Sequence, residues 1–367
     1  SAICMDFIGN TRKRYDGMND KRPVLATLAI AREALMDKEE LLRFLNDLTI
    51  LDERPDGFYV LIAVNSTEAR SEVYHADVIA GWMFINHVLK LNGYRVVNGY
   101  SDTLTPFLGA VGADAGATGW WSNLRTFSMD RFAPPLGGGR LPVERYLSCG
   151  LLNRITFYEL GQLRGVVPDV LNGLTTDALY PAESSQPQRN QEVLQSWDAI
   201  RELNKRLCRG TLDESLSASN AVLEDARNLY AEAGAAIPQL FDPKSNDQHI
   251  EPLQEGIRLR LIRGSACLLS MIAKIHPDKI GNAVSSHLEI PAANALSFAA
   301  GREESLERSD EIGFAPLARN CIRQISPRIE SSEFYSRRAC HLSAPRSSCD
   351  ASQSTSILLP RPQYMIE

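Results

Sequence analysis

The chain has no CxxC pair, and its seven cysteines (Cys4, Cys149, Cys208, Cys267, Cys321, Cys340 and Cys349) are scattered and odd in number. That usage argues against a disulfide framework or a zinc ribbon and predicts reduced thiols in a cytoplasmic protein. No apolar run reaches the ~20 residues that a membrane span needs. The most apolar stretch, Val78 to Leu91, is interrupted by Asn86, His87 and Lys90 and predicts a buried helix. No secretory signal is expected, because Arg12, Lys13 and Arg14 come early and no long apolar run follows them. GxSxG, HExxH, P-loop and GxGxxG signatures are all absent. His75 and His87 lie more than three helical turns apart, so they cannot share a metal. His249, His276, His287 and His341 have no ligand spacing with cysteine or acid, and no metal site is predicted. Excess positive charge is lacking too: the net charge of −6 gives no general attraction to nucleic acid or anionic membrane.

What remains is ordinary for a globular protein, 367 residues with 44% hydrophobic and 23% charged, enough for one large domain or two of usual size. The densest local signal runs from Gly93 to Trp121, GYRVVNGYSDTLTPFLGAVGADAGATGWW. It reads as strand (Tyr94 to Val97), turn, short helix (Thr103 to Val111), strand (Ala113 to Thr118) and a tryptophan pair. Upstream, Phe58 to Val64 is a continuous apolar, β-branched and aromatic run, as expected for a parallel strand buried on both faces. A helix over Glu72 to Leu91 follows, with Tyr74, Val78, Trp82, Ile85 and Leu89 on one stripe and Asn92-Gly93 at its end. Pro23 to Ile30 is a second strand. Asp37 has the position of a helix cap before the apolar face Leu41, Phe44, Leu45 and Leu48. Ala2 to Ile8 reads as a further short strand and Gly9 to Arg22 as a loop. Strands alternating with helices predict a parallel α/β sheet or barrel over residues 1–168.

Pro134-Pro135 and Gly137-Gly138-Gly139 mark a surface loop, Gly150 to Gly165 contains a helix, and 169–190 reads as a polar linker. Residues 191–275 are expected to be all-helical. Val193, Trp197, Ile200, Leu203 and Leu207 form one stripe, and Thr211 to Glu214 has capping-box form ahead of Leu216, Leu223, Ala226 and Tyr230. Ile250, Leu253, Ile257 and Leu261 form a third stripe, continuing toward Ile275. In 276–367 periodicity fades, and from Ser331 the Ser, Arg and Pro content predicts a loose or disordered tail.

In a parallel α/β sheet, ligands sit beyond the carboxyl ends of the strands. Position alone therefore selects Asn10 and Arg12, Arg32 and Glu33, Asn65 and Glu68, Asn98 to Asp102, and Trp120, Trp121, Asn123 and Arg125. Glu68 and Asp102 are the carboxylates of this set suited to acid–base work, or to holding a cation with Asn65. The plainer reading, which the positions favour, is that Asp102 caps the helix beginning at Thr103 and that Glu68 is a solvated loop carboxylate. Arg32, Tyr100 and Asn123 are candidate polar contacts. Trp120 is a candidate stacking platform for a base, a sugar or a flavin ring, although no cofactor is identified. Arg125, Arg131, Arg140 and Arg145, interleaved with Phe127 and Phe132, suit phosphate or single-stranded nucleic acid as well as a mixed-charge surface.

The stretch 93–121 resembles the last two units of phosphate-binding (β/α)8, or TIM, barrels, including flavin-dependent ones. The residues that carry the likeness are Asn98-Gly99, then Gly112-Ala113-Asp114-Ala115 and Gly119. The resemblance implies that backbone N–H groups at Gly99 and Gly119 hold phosphate, since glycine permits close approach. It also implies that the earlier strands are barrel strands four to six. The sheet would then be an incomplete, TIM-barrel-like one, in a chain that opens abruptly at Ser1, with an open edge to be covered by the C-terminal helices or by a second copy. Three functions are compatible with these residues. The first is an enzyme or binding protein for a small, phosphorylated ligand; the second is a protein-interaction scaffold working through its helical region; the third is a nucleic-acid-modifying barrel.

Overall fold

The apolar run 58–64 becomes the centre of a parallel sheet, and the helices that follow each strand pack on one side of it. In the computed structural model the described residues are 2–18, 21–66, 70–119, 124–134, 143–181 and 187–260, all within one compact unit. The sheet contains β1 (Leu25–Ala31), β2 (Gly57–Val64), β3 (Arg95–Gly99) and β4 (Ala115–Ala117) in sequential order, each pair parallel. A two-residue strand, β5 (Phe127–Ser128), pairs with Ala63 and Val64. β3 pairs with β2 only as far as Val60, so β5 takes the side of β2 that β3 leaves. The α/β class with a parallel sheet is as expected. The described strands do not close into a barrel.

Between the strands lie α2 (Arg32–Met36), α3 (Lys38–Thr49), α4 (Arg70–Val73), α5 (Ala76–Leu91) and α6 (Thr105–Ala110). Asp37 caps α3 by accepting from the Glu39 and Glu40 backbone N–H groups at 3.0 Å. Two helices end alike. Gly93 and Gly112 have φ +80° and +111°. In each case the next residue returns its N–H five positions back, Tyr94 to Leu89 and Ala113 to Leu108 at 3.1 Å. This Schellman turn needs glycine and leads the chain into the next strand. The GADA segment thus has a local structural role: Gly112 closes α6, and Asp114 accepts from the Val96 N–H at 2.8 Å and from Lys90.

One face of the sheet is packed against helices. Leu28, Ile30, Phe58, Val60, Ile62 and Val96 point into the core with Val78, Trp82, Ile85 and Leu89 of α5. Trp82 Nε1 donates to Asn98 Oδ1 at 2.7 Å, and Asn98 and Asn86 exchange side-chain hydrogen bonds. A Cβ on Gly116 would meet the Thr105 side chain at 2.2 Å, which places α6 on this same face. α2 and α5 approach so closely that a Cβ on Gly81 would stand 2.6 Å from the Leu35 carbonyl oxygen. On the opposite face Leu25, Thr27, Ala29 and Ala31 of β1 and Ala115 and Ala117 of β4 are exposed, whereas Leu61 of β2, beside Ala29, is buried and Tyr59 and Ala63 are half-buried.

Beyond the sheet, β6 (Arg145–Ser148) and β7 (Asn153–Thr156) form an antiparallel hairpin, followed by α7 (Phe157–Leu163). Three longer helices follow: α8 (Arg189–Leu207), α9 (Leu212–Ala236) and α10 (250–260). α8 and α9 pack against α6. Thr211 and Glu214 form the expected capping box.

Several expectations change. Ala2–Ile8 is not a strand: Ala2–Gly17 is one helix, α1, running through the expected loop and stitched by the Arg12–Asp16 pair one turn apart. Short apolar runs fit either state, and here the polar residues after Ile8 continue the helix. The helix expected from Glu72 breaks at Tyr74, and His75 caps α5. The helix expected within 150–165 is α7, Phe157–Leu163, and the strand β7 that precedes it, Asn153–Thr156, was not expected. Residues 168–181 pack rather than trail, with Val170 and Tyr180 buried. Trp197 leaves its predicted stripe and is exposed; the buried line runs Val193, Ser196, Ile200, Leu203. The Gly137–Gly139 loop, Leu261 onward and the whole of 276–367 lie outside the described residues.

Candidate functional site

The carboxyl ends of the four strands hold most of the residues selected by position. After β1, Arg32 opens α2 directly, reaching Met36 Sδ at 3.9 Å; its Nε lies 4.0 Å from Glu33 Oε1 and is buried without a hydrogen-bond partner among the described residues. After β2, the Asn65 N–H donates to Glu72 Oε2 at 2.7 Å, and its carbonyl accepts from Ser128 Oγ at 3.1 Å. After β3 come Tyr100 and Asp102, with left-handed φ of +56° and +42°. Two non-glycine residues in that region within three positions mark strained backbone, which persists where surrounding structure holds it in place. The Tyr100 N–H donates to Ala117 O of β4, and its ring packs edge-on against Phe127, 5.3 Å between centroids. After β4, the Gly119 N–H donates to Leu124 O. Glu68, Trp120 and Asn123 lie outside the described residues, as does Trp121.

Asp102 does not cap the helix that starts with it; Ser101 precedes that short 3-10 turn. Instead its Oδ2 accepts from Arg154 Nη1 of β7 at 2.6 Å. Arg154 is only 8% exposed, because it sits in the middle of a buried strand. Both groups keep an unused atom: Asp102 Oδ1 and Arg154 Nε are buried without a hydrogen-bond partner among the described residues. A buried polar atom left unpaired costs roughly 1–3 kcal/mol, more when charged. Arg125 stands close by. Burial pushes its pKa down, as does the charge of Arg154, while Asp102 and Glu192 act in the opposite direction. Glu192 of α8 is 1% exposed and holds Arg125 at 3.1 Å and also Arg189, which reaches Glu144 at 3.1 Å. Three arginines and three carboxylates therefore form a chain of charge from the end of β3 to the start of α8.

Gly99 and Gly119, expected as backbone contacts to phosphate, both have packing reasons to be glycine. A Cβ on Gly99 would meet the Tyr59 hydroxyl at 2.3 Å, and one on Gly119 would meet Leu124 Cβ at 2.1 Å. Arg145, weighed with Arg125 as a phosphate-binding surface, is tied to Asp242 at 2.6 Å and to Ser245. Of the arginines in that segment, the two with described side chains thus sit in internal pairs. Arg154, Glu192 and Glu72 were not selected from the sequence. The signal for Arg154 was a lone charge inside the apolar run LLNRITF.

An open groove of about 600 Å³ lies at the opposite, amino-terminal edge of the sheet, lined by Arg12, Arg54, Asp56 and Tyr94 among others. Its charges are largely satisfied internally. Arg12 pairs with Asp16 and Asp56, and Arg54 donates to the Asn92 carbonyl and lies 4.4 Å over the Tyr94 ring. Among the described residues no group of three or more His, Cys, Asp or Glu is arranged to hold a metal, and no helix is long and apolar enough to cross a membrane. Cys149 (buried) and Cys208 are free thiols.

Comparison with protein-family models, with curated proteins and with solved structures gives no match to this chain.

Proposed function

We propose that the chain is an α/β protein of (β/α)-barrel type that binds a small, phosphorylated ligand at the carboxyl edge of its sheet. Arg154 and Arg125 are the cations that receive the anionic group, and Asp102 is the carboxylate set against the ligand for acid–base work. The observation that carries this reading is the Asp102–Arg154 pair, buried at a strand end with one unused atom on each side. Arg154 Nε offers a donor to a phosphate oxygen, and Asp102 Oδ1 offers an acceptor to a ligand hydroxyl or amine. Strained backbone at Tyr100 and Asp102 supports the same location. The barrel-type part of the reading is supported by the sequential strand order with helices packed on one face, since a doubly wound sheet carries helices on both.

The test is a thermal-shift screen of the full chain against phosphorylated metabolites, flavins and short single-stranded nucleic acids. A shift from a phosphorylated small molecule that disappears in Arg154→Met supports the reading; shifts only from nucleic acid, or none, count against it. A second reading, protein interaction through the helical region, draws on Leu194 and Trp197. They are 53% and 47% exposed about one turn apart on α8.

A further inference from the structure

Three aromatic rings form a row at the carboxyl edge of the sheet, beside the cations of the proposed site. Tyr100, at the end of β3, packs edge-on against Phe127 of β5 with 5.3 Å between centroids, and Phe127 packs against Phe132 at 6.1 Å. The row ends in the open. Phe132 is the last residue of the 3-10 turn Met129–Phe132, and such a turn stacks the side chains of its first and fourth residues on one side. Met129 and Phe132 are 53% and 68% exposed, although both are apolar. Ser128 caps the turn, and its Oγ donates to Asp130 Oδ1 at 2.5 Å, so the carboxylate of the turn is held by its own cap.

We infer that this row seats the base of a nucleoside monophosphate whose phosphate is received by Arg154 and Arg125. The inference rests on the anion-binding reading proposed above and adds a ring to the ligand. Two segments each carry one ring and one charged group two residues apart, Tyr100 with Asp102 and Phe127 with Arg125. Two residues span at most about 7 Å of backbone, so ring and charge stand close together in both. That short span fits a base and a phosphate joined by one ribose. A flavin mononucleotide places a longer ribityl chain between them, and a plain sugar phosphate has no planar ring to stack. Phe132 touches Phe127 on its inner side and is otherwise open, as a stacking platform must be. Every base presents a π-face to such a platform. An exposed ring beside a buried guanidinium suits a ligand that is aromatic at one end and anionic at the other.

Calorimetric titration of the full chain with adenosine 5′-monophosphate, cytidine 5′-monophosphate and ribose 5-phosphate tests this. Both nucleotides are expected to bind about tenfold more tightly than the sugar phosphate, the gain from one stacked base. Phe132→Ala should bring both down to the affinity of ribose 5-phosphate and leave that compound unchanged. Phe132→Tyr should retain the preference, and Arg154→Met should weaken all three, with circular dichroism checking each fold. Equal affinity for the three compounds in wild type overturns the inference, as does a preference that survives Phe132→Ala. If ribose 5-phosphate binds in either case and is lost in Arg154→Met, the anion-binding reading stands without the ring. If none of the three binds, the nucleotide assignment falls, and the anion-binding reading is decided by the wider screen of phosphorylated compounds. Affinity that climbs with the length of a single-stranded oligonucleotide identifies a nucleic-acid groove and overturns the small-ligand assignment as well.

Discussion

Asp102 and Arg154 stand 52 positions apart in the sequence and 2.6 Å apart in the structure, joined by one hydrogen-bonded ion pair between the end of β3 and the middle of β7. The contact ties the small hairpin to the parallel sheet. Removing one partner of such a buried pair leaves an uncompensated charge, which costs about 3–5 kcal/mol in enclosed sites. The Asp102 side chain is 22% exposed, so the lower end applies. Arg154→Met is expected to destabilise by about 3 kcal/mol. The double variant Asp102→Asn/Arg154→Met should be less destabilised than the sum of the two singles, since residues in contact are not additive. Urea denaturation of the four proteins measures the coupling; additive losses would show that the pair does not hold the hairpin.

Three glycines should respond differently to alanine. Gly81 faces the Leu35 backbone carbonyl, which cannot swing aside, so Gly81→Ala forces α2 and α5 apart at roughly 1–3 kcal/mol. Gly93 has open space around it but φ +80°, so Gly93→Ala carries only the left-handed strain, roughly 1–2 kcal/mol. Gly161, inside α7 with nothing within 4 Å, should gain about 0.5–1 kcal/mol as alanine. Thermal melts rank the three, and a destabilised Gly161→Ala would contradict the packing described for α7.

The parts of this fold that were legible in the sequence are the local ones. Asp37 and Thr211 announce their helices because a cap is a matter of three or four adjacent residues. β2 and α5 announce themselves by burial on every side, and Gly93 by the conformation it alone accepts cheaply. Ala2 to Ile8 misled because seven residues cannot distinguish a strand from the start of a helix. Trp197 misled because stripe membership assumed that the largest apolar residue faces inward, whereas Ser196 holds that place. At the site, the strand-end rule located Arg32, Asn65, Tyr100 and Asp102. It had no means of finding Arg154 or Glu192, whose roles arise from contacts across 52 and 67 positions. The partner of Asp102 depends on how the hairpin docks, which no local pattern encodes.

Acid should weaken the fold through His87. Burial, with Arg260 beside it, lowers its pKa from 6.5 to about 4, against a hydrogen bond to the Val111 carbonyl that raises it. Between pH 6.5 and 4 the unfolded chain takes up a proton at this position that the folded chain does not, so stability falls as pH falls through that window. The loss is on the order of 2 kcal/mol, allowing for partial exposure. Comparing the urea midpoints of wild type and His87→Gln at pH 7 and pH 4.5 isolates it. The variant should lose less stability on acidification, and an equal loss would mean that His87 titrates normally.

The Asn98 network should be unequal in its parts. Asn98→Ala removes the acceptor of Trp82 Nε1 and one of the two acceptors of Asn86 Nδ2, which keeps the Trp82 carbonyl, and it takes the donor from Asn86 Oδ1; Asn86→Ala leaves Asn98 Nδ2 without its acceptor while Asn98 Oδ1 keeps Trp82. With each orphaned buried polar group costing roughly 1–3 kcal/mol, Asn98→Ala should be the more damaging by at least about 1 kcal/mol. Denaturation midpoints decide the order, and near-ultraviolet circular dichroism should report the loosened Trp82 only in Asn98→Ala.

The claim that the strand-end cluster receives an anionic ligand is tested most directly by calorimetric titration of the full chain with the best phosphorylated compound from the thermal-shift screen. Wild type, Arg154→Met, Arg125→Met and a remote control, Arg43→Met on the outer side of α3, are compared, with folding of each checked by circular dichroism. Saturable binding by wild type and the control, weakened at least about tenfold in both site variants, is the predicted result; one lost charged hydrogen bond of about 1.4 kcal/mol or more is enough to produce it. Binding of equal strength in all four proteins would contradict the account.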